Sequence, residues 1–408
     1  MRALEIYDWG QEGSERLRSS RFRILDTTLR DGLQTPGIKQ PSLADKLRII
    51  DYDAQMGIEA IDVCLPSDPK TPFFQEGVRC ARYINQTYPQ IETVVLARTI
   101  QSDVSATLAF GEEAGVKPAV ILFRGSSDLR LLAEGWDEER IIEEMRRFAE
   151  QLTKEGHKVI CATEDTTRSR PDFLKRVFVA GIEGGASELC IADTVGYADP
   201  AGIENQVKWL RQEITKGTDL RIQFHGHGDT GNAVANSIRA IAAGVETIHT
   251  TWLGIGERAG NTPIEGILSD LERRGIDKYD LSSVVEGARF VANSLEVPIP
   301  RNHPLVGDEV YSVESGIHVA GINKAHQSGL DGLAGVVYSA VDPARVGRDH
   351  KVRIGPLGGE HSVAWVLREM EIEFTPKRAI ALLSAARAKN SALSREEIFD
   401  VVSSEGVK

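Results

Sequence analysis

Leu220-Arg221-Ile222-Gln223-Phe224-His225-Gly226-His227-Gly228-Asp229 reads as a strand, a polar tip and the approach to a helix. In extended backbone successive side chains alternate, so His225 and His227 share a face and both imidazoles can reach one point. Two ligands of one metal must do that. Asp229 precedes Thr230 to Ile238, which opens as a helix with Asp229 near its N-cap. Taken alone, this is equally a turn with two polar histidines. The rest of the chain decides.

The same unit recurs. Strand-like runs at Phe22–Leu25, Ile58–Cys64, Thr93–Ala97, Ala119–Phe123, Lys158–Ala162, Leu189–Ala192, Arg221–Phe224 and Thr247–Thr250 each lead into a helical pattern. Eight such units in roughly 250 residues predict an α/β fold, a (β/α)8 TIM barrel rather than an open doubly wound sheet. A small, mostly helical C-terminal region is expected to follow it. The expected division is an N-terminal extension over 1–20, the barrel over 21–275, and a linker with helical subdomains over 276–408.

The 408 residues carry a formal net charge of −12, with 41% hydrophobic and 26% charged, the proportions of a globular chain. The acidic balance argues against nucleic acid or an anionic membrane as partner. Cys64, Cys80, Cys161 and Cys190 form no CxxC pair and are expected as free thiols in a reducing compartment. No window is apolar and long enough for a membrane span. Glu5, Asp8, Glu12 and Glu15 are not those of a signal peptide, so a cytoplasmic location is expected.

In a barrel the strand tips converge on one face. The tips here are Asp26-Thr27-Thr28, Glu164-Asp165-Thr166-Thr167, Asp193-Thr194, His225-Gly226-His227 and Gly254-Ile255-Gly256-Glu257-Arg258. Asp31, beyond the first strand, would complete a mixed N/O shell with the two histidines, suited to Zn²⁺, Mn²⁺, Co²⁺ or Mg²⁺. Arg30 beside it is a fixed cation for a carboxylate or carbonyl oxygen, and Gln34 adds a donor and an acceptor.

Asp26 to Gln34 closely resembles the DTTLRDGxQ motif of the DRE-type TIM-barrel metal-dependent acyltransferases and lyases. His225-Gly226-His227 resembles their metal histidines, and Gly254 to Asn261 their GxGERxGN motif. Ser315-Gly316-Ile317-His318 and Val341 to Arg348 resemble elements of the 2-isopropylmalate, citramalate and homocitrate synthases. The Cys-containing glycine loop of the 3-hydroxy-3-methylglutaryl-CoA lyases has no counterpart. The resemblance, over residues 21 to 365, implies Claisen condensation of an acyl-CoA, usually acetyl-CoA, with a 2-oxo acid, followed by thioester hydrolysis. It implies a divalent metal on Asp31, His225, His227 and Asn261, with Arg30 polarising the carbonyl and Thr194 and Gln34 anchoring the carboxylate. It points to Glu164, His318 and Tyr338 for proton transfer, the last two delivered across a homodimer by the post-barrel segment. Taken singly, Glu164 reads as an ion-pair partner of Arg168, His318 as a loop histidine and Tyr338 as a core tyrosine.

Three departures matter. Leu33 and Gly228 stand where the family often has Glu and Asn. Homocitrate synthases typically carry Arg and Ser four and two residues before the fifth-strand Glu, where this chain has Ile160 and Ala162. An apolar wall there would leave the distal carboxylate of 2-oxoglutarate unpaired, at a cost of several kcal/mol. Leu96-Ala97-Arg98 resembles the third-strand LAR of isopropylmalate synthases. A small apolar 2-oxo acid such as 2-oxoisovalerate is therefore expected. Citramalate, homocitrate and phosphono- or phosphinomethylmalate synthases are the alternatives, the last because Arg98 or Arg124 could hold an anionic tail. A carbon–carbon lyase and a catalytically silent barrel are the other classes. No leucine-regulatory domain is expected.

Overall fold

The computed structural model describes residues 6–330 and 332–404. The chain forms two compact units, the larger spanning Asp8–Pro298 and the smaller beginning at Ile299.

The larger unit opens with helix α1 (Gln11–Ser19), followed by eight strands: β1 (Arg23–Asp26), β2 (Ala60–Cys64), β3 (Glu92–Arg98), β4 (Ala119–Gly125), β5 (Val159–Glu164), β6 (Glu188–Asp193), β7 (Arg221–Gly226) and β8 (Thr247–Thr250). All neighbours pair in parallel, and β1 pairs with both β2 and β8, closing the expected barrel. Around it stand α2 (Leu43–Met56), α3 (Pro72–Thr87), α4 (Gln101–Ala114), α5 (Asp128–Glu134), α6 (Glu138–Lys154), α7 (Pro171–Glu183), α8 (Pro200–Glu213), α9 (Ala233–Ala243), α10 (Ile264–Arg273) and α11 (Val284–Leu295). Local chemistry sets their ends. Ser42 and Asp45 form a reciprocal capping box on α2, and Gly57 ends that helix with φ of 87°, a left-handed conformation glycine adopts without steric penalty. Asp199 caps α8 in front of Pro200.

The short helix α5 between β4 and α6 was not apparent in the sequence pattern. Helix α11, in the segment that pattern placed after the barrel, packs against α2 through Tyr52 and Phe290. A Cβ on Gly287 would lie 2.6 Å from the fully buried Trp252 ring, so glycine is what lets α11 close on the β8 tip.

The barrel interior is layered. At the strand starts Arg23 pairs with Glu92 at 2.7 Å, and Lys158 with Glu92 at 2.9 Å and Glu188 at 2.5 Å. Above lies an apolar layer of Leu25, Ala60, Val94, Ala119, Ile121, Ile160, Ala162 and Cys190. The polar tips follow. All four cysteines are buried and unpaired, and no helix among the described residues is long and apolar enough to cross a membrane.

The smaller unit contains β9 (Ser312–Val313) and β10 (Lys351–Val352), with α12 (Gly316–Gln327), α13 (Leu333–Val336), α14 (Glu360–Glu369), α15 (Pro376–Lys389) and α16 (Arg395–Ser404). His318, taken singly a loop histidine, lies on α12. Gly316 and Gly321 weaken its helix propensity, but burial of Val319 and Ile322 in one apolar cluster, with Ala325 buried beside them on the helix, outweighs them.

Candidate active site

A cavity of about 290 Å³ opens at the C-terminal ends of the strands, and its wall includes Arg30, Asp31, Gln34, Glu164, Thr194, His225 and His227. Residues almost 200 positions apart thus share one site.

The β1 tip is built first. Asp26 accepts hydrogen bonds from the Thr28 backbone N–H and hydroxyl, while Thr28 Oγ1 accepts from the Trp252 N–H, tying the β1 and β8 tips together. The turn presents Arg30 and Asp31 to the cavity. Arg30 Nε donates to Asp62 Oδ2 at 2.7 Å, and its Nη1 lies 3.3 Å from Asp31. Burial works against the guanidinium's charge, but Asp31 and Asp62 more than restore it.

Asp31 Oδ2 lies 3.0 Å from His225 Nε2 and 4.0 Å from His227 Nε2, and the two ring nitrogens are 3.1 Å apart. Metal–ligand bonds of about 2.1 Å require donor–donor edges of about 3 to 3.4 Å, and all three ligand atoms lie within 4.8 Å of one another. Burial alone would raise the Asp31 carboxyl, but Arg30 and the two histidines outweigh it and hold it well below the usual carboxylate range. Burial, with the neighbouring His225, pushes His227 down to about 4, so it is the neutral ring a metal needs. His227 Nδ1 faces Gly260 O at 3.1 Å, which leaves Nε2 as the lone pair. Asn261 sits opposite His227 on an isolated bridge. Its Nδ2 donates to Ile255 O, and Oδ1 is buried without a partner. The donor set and the orphaned oxygen fit a divalent cation.

Glu164 ends β5 on the cavity wall. Its partner is Arg130 of α5, 3.1 Å away, while Arg168 pairs with Asp165. Burial raises the Glu164 carboxyl and Arg130 opposes it. Thr194 Oγ1 accepts from the Asp165 N–H at 2.8 Å, leaving its own O–H free to donate into the cavity. Leu96, Ile121, Phe123, Ala162 and Cys190 form an apolar stretch of the wall, while Thr163, His249, Glu257 and Arg258 also line it.

Of the predicted substrate-binding residues, Arg98 and Ile160 do not line this cavity. Arg98 turns away to Asp103, held by two hydrogen bonds of 2.8 and 2.9 Å. Ile160 lies one inward position below Ala162 on β5, fully buried in the apolar layer. Arg124 stacks on Trp136 at 3.9 Å and pairs with Glu144. His318 and Tyr338 belong to the smaller unit. Both are exposed, their ring centroids are 4.2 Å apart, and His318 is on α12 rather than in a loop. A Cβ on Gly321 would lie 2.6 Å from the Tyr338 ring, so this glycine admits the tyrosine beside His318.

Sequence reasoning missed Asp62, His249 and Arg130. Asp62 is a lone polar residue in the apolar run Ala60–Cys64, a signal that was there to read, whereas His249 stands among threonines and gave none. Arg130 gave none, because its helix was not anticipated.

The family model described as HMGL-like matches residues 21–291. A probable 2-isopropylmalate synthase of Methanopyrus kandleri is 32% identical over 361 residues, covering 88% of this chain and 68% of that protein. A homocitrate synthase of the same organism is 34% identical over 354 residues, covering 86% and 83%. Among solved structures, hydroxymethylglutaryl-CoA lyase from Pseudomonas aeruginosa superposes with a TM-score of 0.59 at 20% identity, covering 69% of this chain and 95% of that one. That last likeness bears on the fold. The family match spans more than half of the chain, which therefore belongs to the HMGL-like family, the DRE-TIM barrels that work with a divalent metal.

Proposed function

We propose that this protein is an acyl-CoA:2-oxo acid acyltransferase that condenses acetyl-CoA with a small apolar 2-oxo acid such as 2-oxoisovalerate, in the manner of a 2-isopropylmalate synthase. The observation that carries the reading is the Asp31, His225 and His227 cluster with Arg30 at its side, facing an apolar wall. A divalent cation bound there, with Asn261 Oδ1 as a fourth ligand, supplies Lewis-acid polarisation of the oxo acid's carbonyl.

The remaining work falls to the chain. Arg30, pinned between Asp31 and Asp62, directs its free N–H groups at the carbonyl oxygen where negative charge develops. Thr194 O–H and the Gln34 amide anchor the carboxylate. Glu164 takes a proton from the acetyl methyl. The resulting carbanion forms the new bond to C2 of the oxo acid, the oxygen on C2 is protonated, and water then cleaves the thioester to release CoA. Burial makes Glu164 a stronger base than a solvated carboxylate, and Arg130 works in the opposite direction. His318 and Tyr338, already stacked on each other, act from a partner copy in a homodimer as further proton-transfer groups.

The apolar wall supports an apolar substrate tail. Arg98 and Arg124 are committed to Asp103 and Glu144, which disfavours the phosphono- and phosphinomethylmalate alternatives. A 2-oxoglutarate reading retains one supporting feature: Arg130, beside Glu164, is the cation a second carboxylate would recruit.

The test is thiol release from acetyl-CoA with a panel of 2-oxo acids and Mg²⁺, Mn²⁺, Co²⁺ or Zn²⁺. Turnover with 2-oxoisovalerate above pyruvate and 2-oxoglutarate is expected. Absence of CoA release with every oxo acid defeats the synthase reading, and preference for 2-oxoglutarate defeats the apolar-tail argument.

A further inference from the structure

His227 and His225 reach the same point by different means. The His227 ring is set through Nδ1 against Gly260 O, the way metal-ligating histidines are usually oriented. His225 Nδ1 has no hydrogen bond among the described residues. Two rings lie against His225: His227, the other ligand, at 4.9 Å between centroids, and His249, at 5.3 Å and inclined at 70°.

His249 is itself fixed from below. Its Nε2 lies 2.7 Å from Gln223 Oε1, and Gln223 Nε2 donates to Glu188 at 2.5 Å. An amide whose nitrogen is committed to a carboxylate must present its oxygen to the histidine, so His249 Nε2 carries the proton. Glu188 in turn is held by Lys158 at 2.5 Å. A continuous chain of side chains therefore crosses the apolar layer from the ionic end of the barrel to the metal ligands.

We propose that His249, anchored through Gln223 to Glu188, is a positioning residue that holds the His225 ring in its metal-binding orientation. The proposal rests on the metal reading above and goes beyond it. It makes the start of the barrel part of what sets the metal site at the other end.

The experiment titrates Co²⁺ into the metal-free full-length protein by calorimetry and records the visible spectrum of the bound ion. Wild type is compared with His249→Ala, Glu188→Gln and Val94→Ala, the last a change in the apolar layer outside the chain of contacts. His249→Ala is expected to weaken Co²⁺ binding by about 10- to 100-fold with a shifted spectrum. Glu188→Gln should lose less in the same direction, and Val94→Ala nothing. Wild-type affinity and spectrum in His249→Ala overturn the proposal, as does an equal loss in Val94→Ala. If circular dichroism shows that His249→Ala does not fold, His249→Phe takes its place, because it keeps the ring and severs it from Gln223. A several-fold loss is then expected, and no loss overturns the proposal. Failure of the wild type to bind Co²⁺ would instead defeat the metal reading itself.

Discussion

At the strand starts, Glu92 and Glu188 share Arg23 and Lys158, and Gln223 bonds to Glu188. At the strand ends, Asp31, Asp62, Arg30, His225 and His227 crowd a similar cross-section of the same barrel. None of the side-chain polar atoms of the lower group is left buried without a partner, whereas Asp62 Oδ1, Asn261 Oδ1 and His249 Nδ1 are. Burying a polar group without a partner costs about 1–3 kcal/mol. The lower charges are thus arranged to cancel, and the upper ones are left with capacity that a metal and an anionic substrate would use. Charge type does not separate structure from site here; unspent hydrogen-bonding capacity does.

The comparison breaks most visibly at its extremes. His225→Ala should lower turnover by about a thousandfold or more, with metal lost. Its thermal midpoint in the metal-free state should stay near that of the wild type. Metal analysis and a melting curve check this, and a collapse in stability would mean that the upper end is structural too. Glu188→Ala should do the reverse in kind. It removes the buried partner of Gln223 and one of the two carboxylates of Lys158, and should cost about 1–3 kcal/mol, measured from the denaturant midpoint. Unchanged stability would show that the lower charges do not need one another.

Smaller effects sharpen the picture of the cavity wall. Ala162→Phe should fill the apolar side and raise KM for a branched 2-oxo acid by about tenfold, while Co²⁺ affinity is kept. Arg130→Met should shift the acidic limb of the pH–rate profile. Burial raises Glu164 and Arg130 opposes it. Activity that needs the carboxylate rises with pH through its pKa, so removing the guanidinium moves that limb to higher pH. Arg98→Ala should change KM by less than about twofold, because the side chain is spent on Asp103. A larger change would mean that Arg98 leaves Asp103 when substrate binds.

Much of the barrel was legible because its signals are local. Short apolar runs marked the eight strands to within a few residues, although α9 begins at Ala233 behind Asn232 rather than near Asp229. The rim was legible for the same reason: once the barrel is closed, Asp31 and His225 must meet. Helix α5 was missed because seven residues of Asp128–Glu134 carry too little periodicity to register. Helix α12 was missed because its glycines oppose helix locally and only its buried face favours it.

The sequence by itself determined the barrel, the residue types at its rim and the separation between the rim and the apolar layer beneath. Those follow from alternation along each strand, which every strand carries within itself. Only the tertiary structure decided which charges are spent and which remain available. Arg98 is used up by a residue five positions away, Glu164 is paired with an arginine on an unanticipated helix, and His225 is backed by His249 from the next strand. The last two pairings depend on the register between neighbouring strands and on the reach of side chains from separate loops, quantities that no single segment encodes.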